Sequence, residues 1–574
     1  MFNLREQINM SSYMIDSGAM EDVAVLIAGD RQYEALRADM IARWLTRLPE
    51  NTSVGLYGCG GTGRCLAEHH SEALNGYDVR FITSLNDEKS LFYGFPKLNV
   101  KVIADSPPTI IVLLSATYED SMKLNLQHLN DITVKSMTDV ITAVCTEQDC
   151  YSYIDKIKAD AARVADEIHV AIPNTRSICF ILNNFGFNAL ELFRLLRAKG
   201  FAVALIFFEG VPIPIPRENL VVEGFADYVH IASSQAYLNL FLPALMAHDA
   251  LFGVVHCWTQ LRNHEILLRL VKEARCPVVV QYDCFLPFFF EDKEHGEMFA
   301  QEIGQIPENV QAVSRKLYMR AAGVLIKDDP VVVDILEKEY GYRPRHVLCQ
   351  LPSVVLEEPS IPSEKYSQRT GHLHVVYVQS LHRTKMRSGL FSMSYLFETV
   401  ETITSQGIHF TVFNNLDTDG TNYRDLIALS RNNPLFSYRY RLPFEQLIEE
   451  LRYYDFGWLG CDPQLAKILP TVFATNLQMK LLVYIHAGIP SLIAPEHNFC
   501  ARLAEGLGVG LCVAHYQLPE LHKLLANFDY STTLKQLRKA QLLLDIKQTI
   551  PVLTAFIEEI LSDKNLLRSE SCLQ

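Results

Sequence analysis

Short apolar runs alternate with amphipathic helical stretches along most of this chain, in three successive blocks. That alternation predicts parallel α/β sheets. In the first block residues 1–50 read as helical, "SVGLYG" as a strand and Thr62 to Leu74 as a helix. "DVRFIT" and "TIIVLLSAT" follow as strands, before a helix-rich stretch over 120–170. The second block runs from "SICFILNN" through a helix at Ala189 to Lys199, "AVALIFFE", a helix near 236–249 and "LFGVVHCW". A helix over 261–274, "CPVVVQYD", "AGVLIKDD" and "HVLCQLPS" complete it. The third opens with "LHVVYVQS" and continues with a helix over 390–405, "IHFTVFNN", "LIEELRYYDFGWLG" and "KLLVYIHAGIPSLIAP". A helical tail over about 533–562 ends the pattern.

Breaks in the pattern set the domain boundaries. Leu356 to His372, rich in Pro, Ser and charge, reads as a linker. The expected organisation is an N-terminal Rossmann-like domain over 1–165, a second over 175–355, the linker 356–372, a third with C-terminal helices over 373–562, and a polar tail over 563–574, expected to be disordered. A chain of 574 residues is too long for one core, which agrees with several domains.

Composition narrows the function. A net charge of −14 argues against a broad basic surface for nucleic acid, yet leaves room for a local pocket that takes a diphosphate. The opening "MFNLREQINMSSYMIDSGAM" lacks the basic-then-apolar order of a signal peptide, and the apolar runs are shorter than a membrane span. The 13 cysteines show no zinc-type pairing, so reduced, buried thiols are expected. The expected location is the cytoplasm, with peripheral contact at the inner face of a membrane left open. Oligomeric state is not legible in these patterns.

The stretch "SVGLYGCGGTGRCLAEHH" places Gly58, Gly60 and Gly63 in a G-x-G-x-x-G turn between a strand and a helix. Such glycines let backbone approach a pyrophosphate at a helix N-terminus. The acid expected to hold a ribose is missing, because "DVRFITS" ends in Thr83 and Ser84. Three readings stand: glycines that only permit close packing, a bound nucleotide or sugar nucleotide, or NAD used for redox chemistry. Thr83 and Ser84 disfavour the last. No H-E-x-x-H, G-x-S-x-G or Walker loop competes, and no metal-ligand set is legible.

The stretch "NLQMKLLVYIHAGIPSLIAPEHNFCARLAEGLGVGLCV", Asn476 to Val513, is the most specific signal. A polar turn carries Lys480, a helix follows, Gly488 ends it and Pro490 prevents its continuation. A helix N-terminus beside a lysine suits the diphosphate of an activated sugar. Here the sequence resembles the C-terminal domain of group 1 glycosyltransferases of the GT-B fold. "LHVVYVQSLHRTKM" and "PFEQLIEELRYYDFGWLG" stand where that family has its first C-domain strand with a basic loop, and a later helix and strand. "FGFNALELFRLLRAKGFAVALIFFE", "LFGVVHCWT" and "CPVVVQYDCF" resemble pieces of the family's first lobe, so the resemblance spans about 175–560.

The resemblance implies two facing Rossmann-like lobes behind an additional N-terminal Rossmann-like domain, and transfer of a sugar from a nucleotide-sugar donor to a hydroxyl of a glycan, protein or lipid. It implies no obligatory cofactor or metal. Donor-side residues would be Lys480, Arg383, Lys385, Gln478, Thr475 and Tyr484. The acceptor side would hold Gly186 and Asn188, with His256 and Asp283 as catalytic candidates. The final helices would cross back to the first lobe. Two departures stand out: Val483 and Thr475 occupy the positions of the family's glutamates, and Gln379 and Ser380 replace its Gly-Arg. Plainer readings also stand. Lys480, Arg383 and Lys385 suit solvated surface charges, His256 a hydrogen-bonded strand-end histidine, and Asp283 a loop cap. A non-catalytic protein of the same fold, binding a glycan or partner, is the alternative function.

Overall fold

The computed structural model describes most of residues 34–563. Nearly all of 1–33, residues 85–90, 283–306, 356–363, 382–393, 416–422, 461–469 and 564–574, and several shorter loop stretches lie outside the described residues. The polar tail and the first half of the expected linker therefore fall there. The fold is α/β and, among the described residues, contains three sheets, parallel at almost every pairing. By packing, the chain divides into two compact units. One comprises Met1–Glu167 with Phe207–Val211 and His230–His248; the other comprises Ile168–Ile206, Pro212–Val229 and Asp249–Gln574.

The first sheet has β1 (Ser53–Tyr57), β2 (Asp78–Thr83), β3 (Leu91–Phe92), β4 (Phe95–Asn99), β5 (Ile110–Leu113) and β6 (Thr133–Lys135) in the order β3-β4-β2-β1-β5-β6. Only the β3–β4 hairpin is antiparallel, and it turns through Tyr93 and Gly94, both at positive φ. Helix α1 (Glu34–Leu45) buries Met40, Ile41 and Leu45. Helices α2 (Gly61–His69), α3 (Met137–Val144) and α4 (Glu147–Ala171) follow along the chain.

The second sheet has β7 (Ser177–Ile181), β8 (Ala202–Phe208), β9 (Tyr228–Ala232), β10 (Val254–Thr259), β11 (Val278–Tyr282), β12 (Gly323–Ile326) and β13 (Val347–Cys349) in the order β13-β12-β11-β10-β7-β8-β9. Its inner strands β7 and β12 are almost continuously apolar because both faces are covered. Helix α5 (Ala189–Ala198) follows β7, and α6 (Val331–Tyr340) follows β12.

The third sheet is wholly parallel. It has β14 (His374–Gln379), β15 (His409–Asn414), β16 (Phe436–Arg439), β17 (Phe456–Leu459), β18 (Ser491–Ile493) and β19 (Gly510–Cys512) in the order β16-β15-β14-β17-β18-β19. Its helices include α7 (Tyr366–Thr370), α8 (Pro470–Thr475), α9 (Met479–Ala487), α10 (Asn498–Leu507), α11 (Tyr530–Leu544) and α12 (Ile546–Ser562). Gly488 and Gly508 stop α9 and α10 in the left-handed conformation, as their positions in the sequence suggest.

Two details go beyond the sequence reading. The second half of the expected linker is docked. In and beside α7, Lys365 donates to the carbonyls of Arg452 and Tyr454, Tyr366 to Glu450 and Ser367 to Asp455. The helical tail is two helices broken at Asp545, which caps α12. That last helix returns to the second sheet: Phe556 and Ile560 lie against Gly323 of β12, and Glu558 pairs with Arg176. No helix among the described residues is long and apolar enough to cross a membrane.

Candidate functional site

In an open parallel sheet, ligands bind outside the carboxyl ends of the strands where the strand order reverses. In the third sheet that point lies between β14 and β17, since successive strands run outward from each. β14 ends at Gln379, and the Lys480 ammonium donates to the Gln379 side chain at 2.5 Å. The same ammonium lies 5.0 Å from the centre of the Tyr377 ring. Lys480 sits in the first turn of α9, whose N-cap residue Gln478 gives no side-chain cap. The lysine and the helix N-terminus thus add their positive ends at one place.

The loop after β18 joins this group. His497 begins α10 and is buried, and burial together with the nearby Lys480 charge pushes its pKa down to about 3. It is a neutral imidazole at pH 7. His497 Nδ1 and Glu496 Oε2 are buried and make no hydrogen bond. After β14, Leu381 is pinned by the Asn414 side chain at 3.0 Å and by the Tyr423 hydroxyl. Arg383 and Lys385 follow Leu381 in the sequence but lie outside the described residues.

A second set of contacts comes from the loop after β12. The Asp328 carboxylate accepts the backbone N–H of Leu477 at 2.9 Å, and the Asp329 N–H donates to the carbonyl of Thr475 at 2.9 Å. Asp329 also pairs with Arg502 of α10 and accepts the Val331 N–H at 3.1 Å. These aspartates hold the turn that leads into Lys480. Sequence reasoning missed them, because nothing local links "KDDP" to a turn nearly 150 residues later.

Other expected site residues take different places. Tyr484 is fully buried, and its hydroxyl meets Val378 N at 3.1 Å, Trp458 O at 3.0 Å and Val376 O at 3.2 Å. It ties β14 to β17 beneath the site and does not line it, which corrects its donor-side role. Thr475 is also buried, with its hydroxyl donated back to Thr471 of α8. Gln478 remains at the helix start, its N–H on the Cys500 sulfur. Val483 is half-buried against the core of the third sheet.

In the second sheet His256 lies within β10, between β7 and β11, edge-on to Phe180. Burial, opposed by the Gln281 side chain, pushes its pKa down to about 4. A mid-strand, neutral core imidazole is not a solvent-facing catalytic base, so that expectation is corrected. Asn188 begins α5, and its side-chain amide donates to the Ser353 carbonyl, fastening the chain after β13 rather than facing an acceptor. Gly186 and Asp283 lie outside the described residues.

The glycine turn follows β1, beside β5, where the first sheet reverses its order. Gly58 has a φ of 128°, which favours glycine, and a Cβ on Gly63 would meet the Gly58 carbonyl oxygen at 2.6 Å. Gly60 meets nothing within 4 Å. A Cβ on Gly61 would collide with the Glu34 carboxylate, which therefore sits at the start of α2 where a phosphate would lie. Arg37 of α1 donates to Thr62 at 3.1 Å in the same turn. Among the described residues no group of three His, Cys, Asp or Glu side chains suits a metal ion.

No family model and no curated protein matches the chain. Among solved structures it is similar to sucrose-phosphate synthase from Thermosynechococcus elongatus, at 14% identity and a TM-score of 0.45, over 67% of this chain and 99% of that one. It is similar to a UDP-glucosyltransferase from Polygonum tinctorium at 12% identity and a TM-score of 0.40, over 69% of this chain and 99% of that one. It is also similar to a protein described as a UDP-N-acetylglucosamine 2-epimerase from Listeria monocytogenes, at 12% identity and 0.41, over 67% and 96%. These likenesses are weak; the strand orders and registers carry the fold.

Proposed function

We propose that the chain is a glycosyltransferase of the GT-B type, moving a sugar from a nucleotide-activated donor to a hydroxyl of a glycan, protein or lipid. One observation carries this reading: Lys480, in the uncapped first turn of α9, lies on Gln379 at the reversal point of the third sheet. A lysine and helix N–H groups converging there suit a diphosphate and stabilise the charge that grows on it as the sugar departs. Arg383 and Lys385 would add charge from the loop after β14. The uncommitted polar atoms of His497 and Glu496 suit donor hydroxyls, the service that Thr475 and Val483 do not give. With His256 in the core, Asp283, which follows β11 directly, is the candidate to take the acceptor's proton.

The Glu34 carboxylate at the start of α2 supports packing, rather than NAD binding, as the use of the first glycine turn. The test is a thermal-shift screen of nucleotide sugars and NAD(P), followed by donor hydrolysis and transfer assays for each hit. Lys480→Ala is expected to weaken donor binding by about 1.5–3 kcal/mol, the range for hydrogen bonds to charged groups, with folding nearly unchanged. Unchanged donor affinity in that variant removes Lys480 from the site.

A further inference from the structure

In the first unit two thiols meet at the start of the long helix α4. Cys145 ends α3, Cys150 lies in the first turns of α4, and their sulfurs are 3.5 Å apart. Cys150 is fully buried, whereas Cys145 is partly open to solvent. The residues between them form a tight cap: the Thr146 N–H and hydroxyl donate to the Asp149 carboxylate at 2.8 and 2.7 Å, and the Asp149 N–H returns to the Thr146 hydroxyl at 3.2 Å. Arg43 of α1 clamps the same carboxylate with two bonds of 3.1 Å. The two sulfurs are therefore held as neighbours by a structured turn.

We propose that Cys145 and Cys150 are a redox modification site, a dithiol that forms an intramolecular disulfide by exchange with a small-molecule disulfide such as oxidised glutathione. The partly open Cys145 thiolate attacks one sulfur of the oxidant, forming a mixed disulfide and releasing one thiolate. The Cys150 sulfur, after giving up its proton, then attacks Cys145 Sγ and expels the second thiol. Two protein thiols lose two electrons and two protons, and one oxidant disulfide becomes two thiols. The surroundings favour this order. The hydrogen bond from Cys150 lowers the Cys145 pKa against burial and the Asp149 charge, with help from Arg43. By contrast, burial pushes the Cys276 thiol up to about 12 and raises those of Cys179 and Cys257, so these thiols resist the same reagent.

Trypsin leaves both cysteines on one peptide, Ser136 to Lys156, which makes the test direct. The intact, folded protein is equilibrated with graded ratios of oxidised to reduced glutathione, alkylated, digested and weighed. The expected result is that this peptide loses two hydrogens and escapes alkylation as the ratio turns oxidising, and recovers two alkylated thiols after dithiothreitol. In Cys150→Ser the glutathione adduct is expected to persist on Cys145. Two free thiols at every ratio, a stable glutathione adduct in the wild type, or a link between two chains would each overturn the proposal. The wild-type measurement decides it, so the result does not depend on the variant folding.

Discussion

Gly457 has no side chain because the ring of Tyr484 stands where its Cβ would be. Gly457 lies in β17, Tyr484 in α9, and the Tyr484 hydroxyl reaches past the glycine to β14 at Val378 N and back to β17 at Trp458 O. The two strands that flank the proposed donor site are thus joined by one side chain passing over one glycine. Gly457→Ala forces the ring aside and is expected to cost at least ~1–3 kcal/mol, as overpacking does. Tyr484→Phe leaves the Val378 N–H buried without its acceptor, at a cost of about 1–3 kcal/mol. Urea unfolding of both variants measures this. Stabilities equal to wild type would deny the bridge.

The glycine turn of the first unit offers a test that separates packing from ligand binding. Gly63→Ala drives a methyl into the Gly58 carbonyl, so a lower melting temperature is expected whatever the domain binds. Gly60→Ala meets nothing within 4 Å, so folding is expected to be unchanged. The two glycines look alike in the motif; only their neighbours distinguish them. If Gly60→Ala keeps the melting temperature but abolishes binding of a ligand found in the screen, the turn is a ligand cradle.

Much of the architecture was legible because strands buried on both faces leave apolar runs, and because Gly488 and Gly508 end helices by a conformation that favours glycine. Edge strands were missed: β9 "YVHIA" and β16 "FSYR" are only partly buried, so their apolar signal is weak. The helix after Lys480 was legible because its apolar pattern and its stop at Gly488 are local signals. Tyr484 was misplaced because burial of its hydroxyl depends on β14 and β17, which are distant in sequence. Glu34 over Gly61, and Asp328 on Leu477, are likewise contacts between separate elements that no local pattern announces.

Val483 shows why the missing glutamate is not simply restored. The residue packs against the cluster that includes Leu481, Leu482 and Ile485. A Val483→Glu carboxylate would lose water there without a partner. The expected outcome is a stability loss of roughly 1–3 kcal/mol and no gain in donor affinity, read by unfolding and by donor titration. Tighter donor binding or new transfer activity in this variant would mean that the wild type is a degenerate binding protein.

Acid should destabilise the fold through its buried histidines. Burial holds His256, His374 and His409 at pKa values of about 4, the latter two also lowered by neighbouring charges, and these values lie below the ordinary value of 6.5. Between pH 6.5 and 4 the unfolded chain therefore binds more protons than the folded one, so stability is complete above 6.5 and falls as pH drops. For fully buried His256 the full effect is roughly 3 kcal/mol. His256→Leu is expected to flatten the fall of melting temperature across this window and to retain transfer activity. An unchanged slope would contradict its burial as a neutral ring, and loss of activity in a folded variant would return it to the chemistry.

The last prediction concerns how the donor-side turn is held. Asp328 accepts the Leu477 N–H three residues before Lys480, and Asp329 takes hold of Thr475 and Arg502 beside it. Asp328→Ala removes the acceptor of a buried N–H and is expected to cost about 1–3 kcal/mol of stability. Asp328→Asn keeps an acceptor oxygen and should recover most of that loss. If the turn positions Lys480, donor affinity will fall in Asp328→Ala although Asp328 itself touches no donor, and it will recover in Asp328→Asn. The affinity losses of Asp328→Ala and Lys480→Ala should then overlap, because once the lysine is gone its misplacement has nothing left to weaken. Donor titrations of the two single variants and the double variant read this out. Fully additive losses would show that Asp328 acts on stability alone and that the start of α9 keeps its place without it.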